Sequence, residues 1–469
     1  MNYPGTPLEH RYLVFFQRQT APILSGHFDS YFWNGLLLQV GHSEPTIQHA
    51  MMAVASIHEQ VEAAGRELFS PGMDYGRYFA LQQYNKAISC LNRRLSEGSQ
   101  SEEITLMCCV LFICLEFLRG NIDTAISHLH GGLGIMAAWR ARNRRLLNNE
   151  GLHITSEPHS IPDDLVQMFS RLTIQSMLCG RDPMADFLRY SEADLLPFTP
   201  AVFPSLLAAR ISLDSLMKIS LQFLRESHER SHFQIQPEAK YRLDNITNAL
   251  DQWSLAFDLF LANSSGTRTR QEIRAATNLR ILNIVAKVWL SSSVSAEESH
   301  FDEQTEAFSA IINLAATMNL YNSTGAEMLE DPPVASTPAD RPHSFTFEMG
   351  IIPPLYFVAI KCRVPSIRRT AISLLDTTMP RREGIWIASL YVAVAKRIIQ
   401  IEEADLQIVG HKDEIGGELL PPEWMRVHDA RIHSMAEEDL TERVQKVTFV
   451  MRPLGVGGQW DMRDEEILW

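Results

Sequence analysis

The sequence has little cysteine, no long apolar run, no surplus of basic charge and no catalytic signature. Each absence removes a class of function. The six cysteines are Cys90, Cys108, Cys109, Cys114, Cys179 and Cys362, and no two are spaced Cys-x-x-Cys. Four of them fall between positions 90 and 114 on apolar stretches. This is no disulfide framework, and it reads as reduced core thiols of an intracellular protein. Two glycosylation-type triplets, at Asn245 and Asn263, have no meaning without secretion. The longest apolar run, Ile104–Leu118, has fifteen residues and contains Glu116. A membrane span needs about twenty apolar residues. The opening residues are polar and broken by Pro4 and Pro7, unlike a signal or transit peptide. Lysine and arginine total 42 against 56 acids, a net charge of −14. A chain built mainly to grip DNA needs a basic face to displace counterions from phosphates, and this balance argues against one. No Gly-x-Ser-x-Gly elbow, Walker loop or ordered Ser-His-Asp set is present, so an enzyme is not expected.

What is present is helical periodicity. Ile104–Leu118 is apolar nearly all round and must be covered on every side. After Gly120, apolar residues at 122, 125, 126, 129, 133 and 136 form one stripe. This hairpin, Ile104–Trp139, is the expected centre of the fold. Before it lie two aromatic-rich segments, His10–Gln19 and Phe28–Val40, the second with Asp29 or Ser30 as its cap. Ser43 and Pro45 signal the start of the next helix, and Tyr75–Leu95 forms another. After it, Pro162 opens a helix that Gly180 ends, and further helices are expected near 203–226, 238–263, 268–294, 303–320, 355–361 and 366–375. Glu383–Ala404 reads as one long helix with Trp386, Leu390, Val394, Ile398 and Ile401 on its stripe. Only Val447–Met451 reads as a strand. The expected class is all-α: a multi-helix array of antiparallel helix pairs with at most a short strand near the C-terminus. Residues 327–345, rich in proline, are expected to be a flexible loop between a main helical region, 1–326, and C-terminal helices and a tail, 346–469, packed on the main body.

Several clusters have a chemical reading and a structural one. Cys108, Cys109 and Cys114 with His128 and His130 contain zinc-type ligands, but 108 and 109 point about 100° apart on a helix, so buried thiols are expected. His58-Glu59 has Glu62 where a helical zinc protease needs its second histidine, and a helix surface is expected there. His130-Gly-Gly-Leu-Gly134 lies inside a helix rather than after a strand, so its glycines are expected to permit close helix contact and not to cradle phosphate. Arg140, Arg142, Arg144 and Arg145 are read as a solvated helix end suited to the negative pole of the dipole. Arg368-Arg369 and Arg381-Arg382 are read as surface cations. No residue is assigned a catalytic, cofactor-binding or metal role, and no cofactor is expected.

A series of short stretches, taken in order, resembles one family. They are Phe15–Trp33, His42–Ala50, Ala55–Glu59, Gln83–Ile88, Leu111–Asn121, Ile351–Arg363, Ser366–Arg369, Arg381–Trp386 and Ile401–Glu403. Together they are similar to the regulatory region of fungal-specific transcription factors of the binuclear zinc-cluster type. The resemblance implies a nuclear transcription-regulatory protein, present also in the cytoplasm in some states. Its body would bind a partner helix or small effector in a groove between helices. Family members carry a six-cysteine cluster before this region. Here the first cysteine is Cys90, so the expectation is a regulator body without its own DNA reader. The expected partners are proteins of the transcription machinery or a related regulator, a small-molecule effector and a second copy of the chain. No membrane partner is expected. The alternative is a non-enzymatic helical scaffold or adaptor.

Overall fold

The computed structural model describes residues 5–26, 28, 31–64, 73–97, 102–149, 163–180, 196–230, 237–263, 268–323, 344–378, 381–404, 406, 414–415, 417–433 and 443–469. The chain groups into two compact units, Met1–Ala193 with Pro333–Glu348, and Asp194–Pro332 with Met349–Trp469. These units divide the chain differently from the 1–326 and 346–469 division expected above. Proline-rich composition marks where a helix cannot continue, whereas a unit boundary follows which apolar faces pack together. Most of the expected loop, 327–343, lies outside the described residues.

The first unit contains helices α1 (Pro7–Phe15), α2 (Ala21–Ser25), α3 (Leu37–Ser43), α4 (Pro45–Ala64), α5 (Met73–Ser96), α6 (Glu102–Arg119), α7 (Ile122–Asn149) and α8 (Asp163–Leu178), with the extended pair β1 (Phe345–Thr346). Thr6 caps α1 and accepts from the Glu9 N–H, while Glu9 reaches back to the Thr6 N–H at 2.9 Å. Such a reciprocal cap satisfies two orphan donors. The aromatic opening contains two π-helical turns, Phe16–Thr20 and Phe32–Leu36, which turn Phe16, Phe32 and Trp33 fully inward. Trp33 meets Phe32 and Phe347 edge-on, and Phe117 of α6 lies against the same Phe347 ring. Asp29 and Ser30, proposed as caps here, lie outside the described residues. Ser43 is not the start of α4: it ends α3 by donating to Val40 O, and Glu44 provides the carbonyl that opens α4.

Every residue of α6 from Ile104 to Leu118 is buried, which confirms the central hairpin. α4 and α7 pack against it, and Tyr84 of α5 meets its Phe112 edge-on, as an all-apolar helix requires. On α7 the inward residues are Ala125, Leu129, Leu133 and Met136. Gly132 permits α8 to approach: a Cβ there would lie 2.2 Å from the Phe169 ring. Gly131 and Gly134 have open space instead.

The second unit contains α9 (Leu206–Arg230), α10 (Pro237–Asn263), α11 (Arg270–Ser292), a 3-10 helix (Glu298–Gln304), α12 (Thr305–Ser323), α13 (Ile352–Lys361), α14 (Pro365–Thr377) and α15 (Ala388–Glu403). Thr269 and Glu272 form a second reciprocal cap at the start of α11. Trp253 on α10 donates to Ala209 O of α9 at 2.9 Å and stacks on Phe257. The expected helix from Glu383 begins only at Ala388. Before it, β2 (Arg382–Glu383) and β3 (Trp386–Ile387) form a hairpin around Gly384, whose φ of 56° suits glycine. Trp386 is therefore a buried strand residue and not part of the helical stripe. The Glu383 carboxylate is occupied elsewhere: it accepts the N–H groups of Gly350, Ile351 and Ile352, capping α13, at 2.9–3.0 Å. Burial pushes its pKa up to about 7 against the pull of those donors.

The strand run Val447–Met451 lies within β7 (Val444–Met451), the centre of a three-stranded antiparallel sheet. Its neighbours, β6 (Val427–Ile432) and β8 (Asp461–Leu468), follow two short paired strands, β4 (Glu414–Ile415) and β5 (Glu418–Leu419), and show no apolar alternation. The fold remains mostly helical, with its sheets confined to the C-terminal part.

The glycines of α7 separate close approach from flexibility. Gly132→Ala should destabilise the protein by about 1–3 kcal/mol through overpacking on Phe169. Gly131→Ala or Gly134→Ala should stabilise it by about 0.5–1 kcal/mol through helix propensity. Denaturant melts of the three variants should therefore move in opposite directions. Equal shifts would remove the packing role of Gly132.

Candidate functional site

The cysteines and histidines weighed above as zinc-type ligands do not converge among the described residues. Cys108, Cys109 and Cys114 are core residues of α6. Burial pushes Cys109 up to about 12, and Cys108 and Cys114 are also raised. His128 instead meets the Tyr84 hydroxyl at 2.7 Å and packs against Phe112, and burial lowers its pKa. Among the described residues no three His, Cys, Asp or Glu side chains form a metal-holding group. His58 is not on a helix surface, as expected, but is 1% exposed, with its Nδ1 3.0 Å from the Thr20 hydroxyl. The π turn that contains Thr20 folds over it. Glu62 accepts from both the amide and the hydroxyl of Ser344, and against burial His58 together with these two donors holds its carboxyl at about 2.

The arginines after Trp139 do not follow a helix end, because α7 continues to Asn149 without a breaker. Arg142 pairs with Glu102 at 2.6 Å. The side chains of Arg140, Arg144 and Arg145 lie outside the described residues. Arg381 is bonded to Asp376 O, and Arg382 is lowered to about 10 by burial. Arg368 is a further correction: it is fully buried, while its neighbour Arg369 is exposed and pairs with Glu403.

Arg368 leads to the principal charged constellation of the second unit. The last turn of α15 places Glu402, 0% exposed, between two guanidinium groups. Arg363 Nη2 lies 3.0 Å from its Oε1 and Arg368 Nη2 lies 2.7 Å from its Oε2. Oε1 also accepts the Val427 N–H at 2.9 Å, which attaches the sheet. Arg363 continues to Glu298, which Lys361 holds at 2.7 Å. Arg426 grips Asp302 with two nearly parallel bonds of 2.7 and 2.8 Å. Glu423 accepts the N–H groups of Glu298 and Ser299 and faces His428 at 3.2 Å. Burial alone would raise these carboxyls. Arg363, Arg368 and the Val427 N–H nevertheless hold Glu402 below its ordinary value, and His428 with two backbone amides holds Glu423 at about 2. The acids Glu298, Asp302, Glu402, Glu403 and Glu423 are matched in number by Lys361, Arg363, Arg368, Arg369 and Arg426. The charges are internally compensated, which suits holding elements together better than binding a charged ligand.

Sequence reasoning missed Glu402 as a site. The signal was present: residues 391, 395, 398 and 402 share the buried face of α15, so a glutamate at 402 required a buried cation.

A second feature is open to solvent. A groove of about 620 Å³ runs along α5 beside His49 of α4, lined by Tyr78, Leu81, Asn85, Ser89 and Cys90. His49 Nδ1 is 2.6 Å from Gln83 Oε1, and Gln83 and Lys86 both contact Glu9. Aromatic, aliphatic, amide and hydroxyl groups line this groove.

Comparison with known proteins identifies the scaffold. The model of the family described as "Fungal specific transcription factor domain" matches residues 11–378. The chain belongs to this family. It shares 27% identity over 483 aligned positions with the aspercryptin biosynthesis cluster-specific transcription regulator of Emericella nidulans, covering 86% of this chain and 75% of that protein. A transcription regulator of Purpureocillium lilacinum is 36% identical over 110 residues, which are 23% of this chain and 26% of that protein. No solved structure matches the chain. The family and these relatives give the protein a transcription-regulatory role. Among the described residues no helix is long and apolar enough to cross a membrane.

Two experiments test the constellations. Glu402→Gln removes the carboxylate charge between two buried guanidinium groups and turns a donating N–H toward one of them, and should cost about 3–5 kcal/mol, whereas Arg369→Ala at the exposed pair should cost less than about 1 kcal/mol. Because the native carboxyl pKa values lie below the unfolded ones, the unfolded chain takes up protons first on acidification. The stability these groups provide is present above about pH 4.5 and is lost as pH falls toward about 2. Tryptophan fluorescence against denaturant and pH measures both, and an unaltered Glu402→Gln melt would refute the role of the network. For the thiols, a disulfide reagent on native protein at mildly alkaline pH should label half-buried Cys90 and Cys179. Cys108, Cys109, Cys114 and Cys362 should react only after unfolding. Rapid native labelling of α6 would contradict its burial.

Proposed function

We propose that this chain is the regulatory body of a nuclear fungal transcription regulator. It acts by binding other molecules and not by catalysis. The observation that carries this reading is the family match over residues 11–378. The role of the Emericella relative as a biosynthesis cluster-specific regulator extends it: the genes controlled form a biosynthetic cluster. No six-cysteine cluster lies within residues 1–469, so in this reading these residues reach a promoter through a DNA-binding partner. The cysteine pattern supports this, because Cys108, Cys109 and Cys114 are core thiols and not zinc ligands. The net charge of −14 also opposes direct counterion displacement from DNA. The compensated charges around Glu402 give the second unit a rigid frame, and the groove on α5 provides a binding surface on the first.

Deletion and overexpression of the gene in its host, read by transcript sequencing, test this function. The expected result is a severalfold change confined to a contiguous set of biosynthetic genes, with a fluorescently tagged copy in the nucleus. The purified chain should show no sequence preference in a mobility-shift assay. Unchanged transcripts would favour a scaffold or adaptor without a transcription role, and specific binding by the chain alone would refute the partner route.

A further inference from the structure

Helix α5 has two faces of different character. Phe79, Ala80, Gln83, Tyr84 and Ala87 are buried toward the core. On the opposite side Tyr75, Tyr78 and Leu81 recur every three residues, and the two tyrosines are each about two-thirds exposed. A helix face intended only for water carries glutamate and lysine rather than paired tyrosines. The groove beside them extends from Tyr78 to Cys90, twelve residues further on. At 1.5 Å per residue that is about 18 Å, the length of a helix of roughly three turns.

Charge identifies the occupant. Within a chain of net charge −14, α5 carries Arg77, Lys86, Arg93 and Arg94 against the single acid Asp74. Arg94 is committed to Glu44 at 2.8 Å, and Lys86 is shared with Glu9 at 3.2 Å. Arg77 is exposed next to Tyr78, and Arg93 is exposed three residues beyond Cys90 at the far end of the groove. We propose that the outer face of α5 docks an acidic amphipathic helix of a partner protein. Its apolar residues enter the groove between Tyr78 and Leu81, and its carboxylates meet Arg77, Lys86 and Arg93. Rigid aromatic anchors supply the affinity, and the surrounding cations supply orientation and on-rate. A second copy of the chain does not fit this face, because two-fold pairing would set its cations opposite themselves.

This inference rests on the reading of the chain as a partner-binding regulatory body, and it names the partner's chemistry. Transcript changes test the first and peptide binding tests the second, so each can fail alone. The experiment is fluorescence anisotropy of the full chain with a labelled peptide about four turns long, leucine and phenylalanine on one face and glutamate on the other. Binding in the micromolar range is expected, weakened at least ~tenfold by Tyr78→Ser with Leu81→Ser, or by Arg77→Glu with Arg93→Glu, and weakened by salt. Circular dichroism should show these exposed substitutions to be folded. A peptide with lysine in place of glutamate, tested on the unaltered chain, should not bind. Equal binding of a scrambled peptide or of the lysine peptide, or variants that bind normally, would overturn the proposal. So would preferential capture by phosphatidylserine-containing vesicles, lost on the same substitutions, which would make the face a lipid-binding one.

Discussion

Glu402 sits fully buried at the end of α15 with a guanidinium on each carboxylate oxygen, and the second unit is arranged around that requirement. A carboxylate removed from water is tolerated only when its lone pairs are filled. Arg363 arrives from the turn after α13, Arg368 from α14 and the Val427 amide from the first strand of the sheet. Four segments, spread between residues 363 and 427, are thereby set at fixed distances. Arg363 and Lys361 then reach Glu298 on the 3-10 helix, and Arg426 reaches Asp302, so the arrangement extends to the start of α12. Dispersion contacts tolerate sliding, whereas a bidentate pair does not. The network therefore determines the register in which these helices meet.

The first unit solves a different problem. α6 has no wet face from Ile104 to Leu118, and its neighbours are recruited by area and not by charge. Gly132 and Phe169 show the tolerance of that packing: α8 can approach only where a side chain is missing. The aromatic opening of the chain belongs to the same core. The outer face of α5 is the exception, with Tyr75 and Tyr78 turned to solvent and Arg77 exposed between them in sequence.

Several family-like stretches acquire a physical meaning from this arrangement. Ile351–Arg363, Ser366–Arg369 and Ile401–Glu403 resembled the family as separate pieces of sequence, and the fold joins them in one charge network. Phe15–Trp33 supplies the π turns that enclose His58 and bury Trp33. Their resemblance to the family reflects, at least here, how the body is built.

Much of the helical content was legible from residue order alone. Apolar spacing located the hairpin of α6 and α7, and Gly180 and Pro45 marked helix ends, because propensity and periodicity are local properties. The buried thiols of α6 followed from the same pattern. The start of α15, the surface reading of Arg368 and the sheet beside β7 were misjudged or missed because each depends on a partner distant in sequence. Glu383 is used to cap α13, Arg368 neutralises Glu402, and β6 and β8 are held by the central strand despite their polar sequences. The sequence by itself determined where helices form and which faces are apolar, since those depend on neighbours within a few residues. Only the tertiary structure decided which charges are buried together and which apolar face remains open, since burial belongs to the assembled set of elements and to no single stretch of chain.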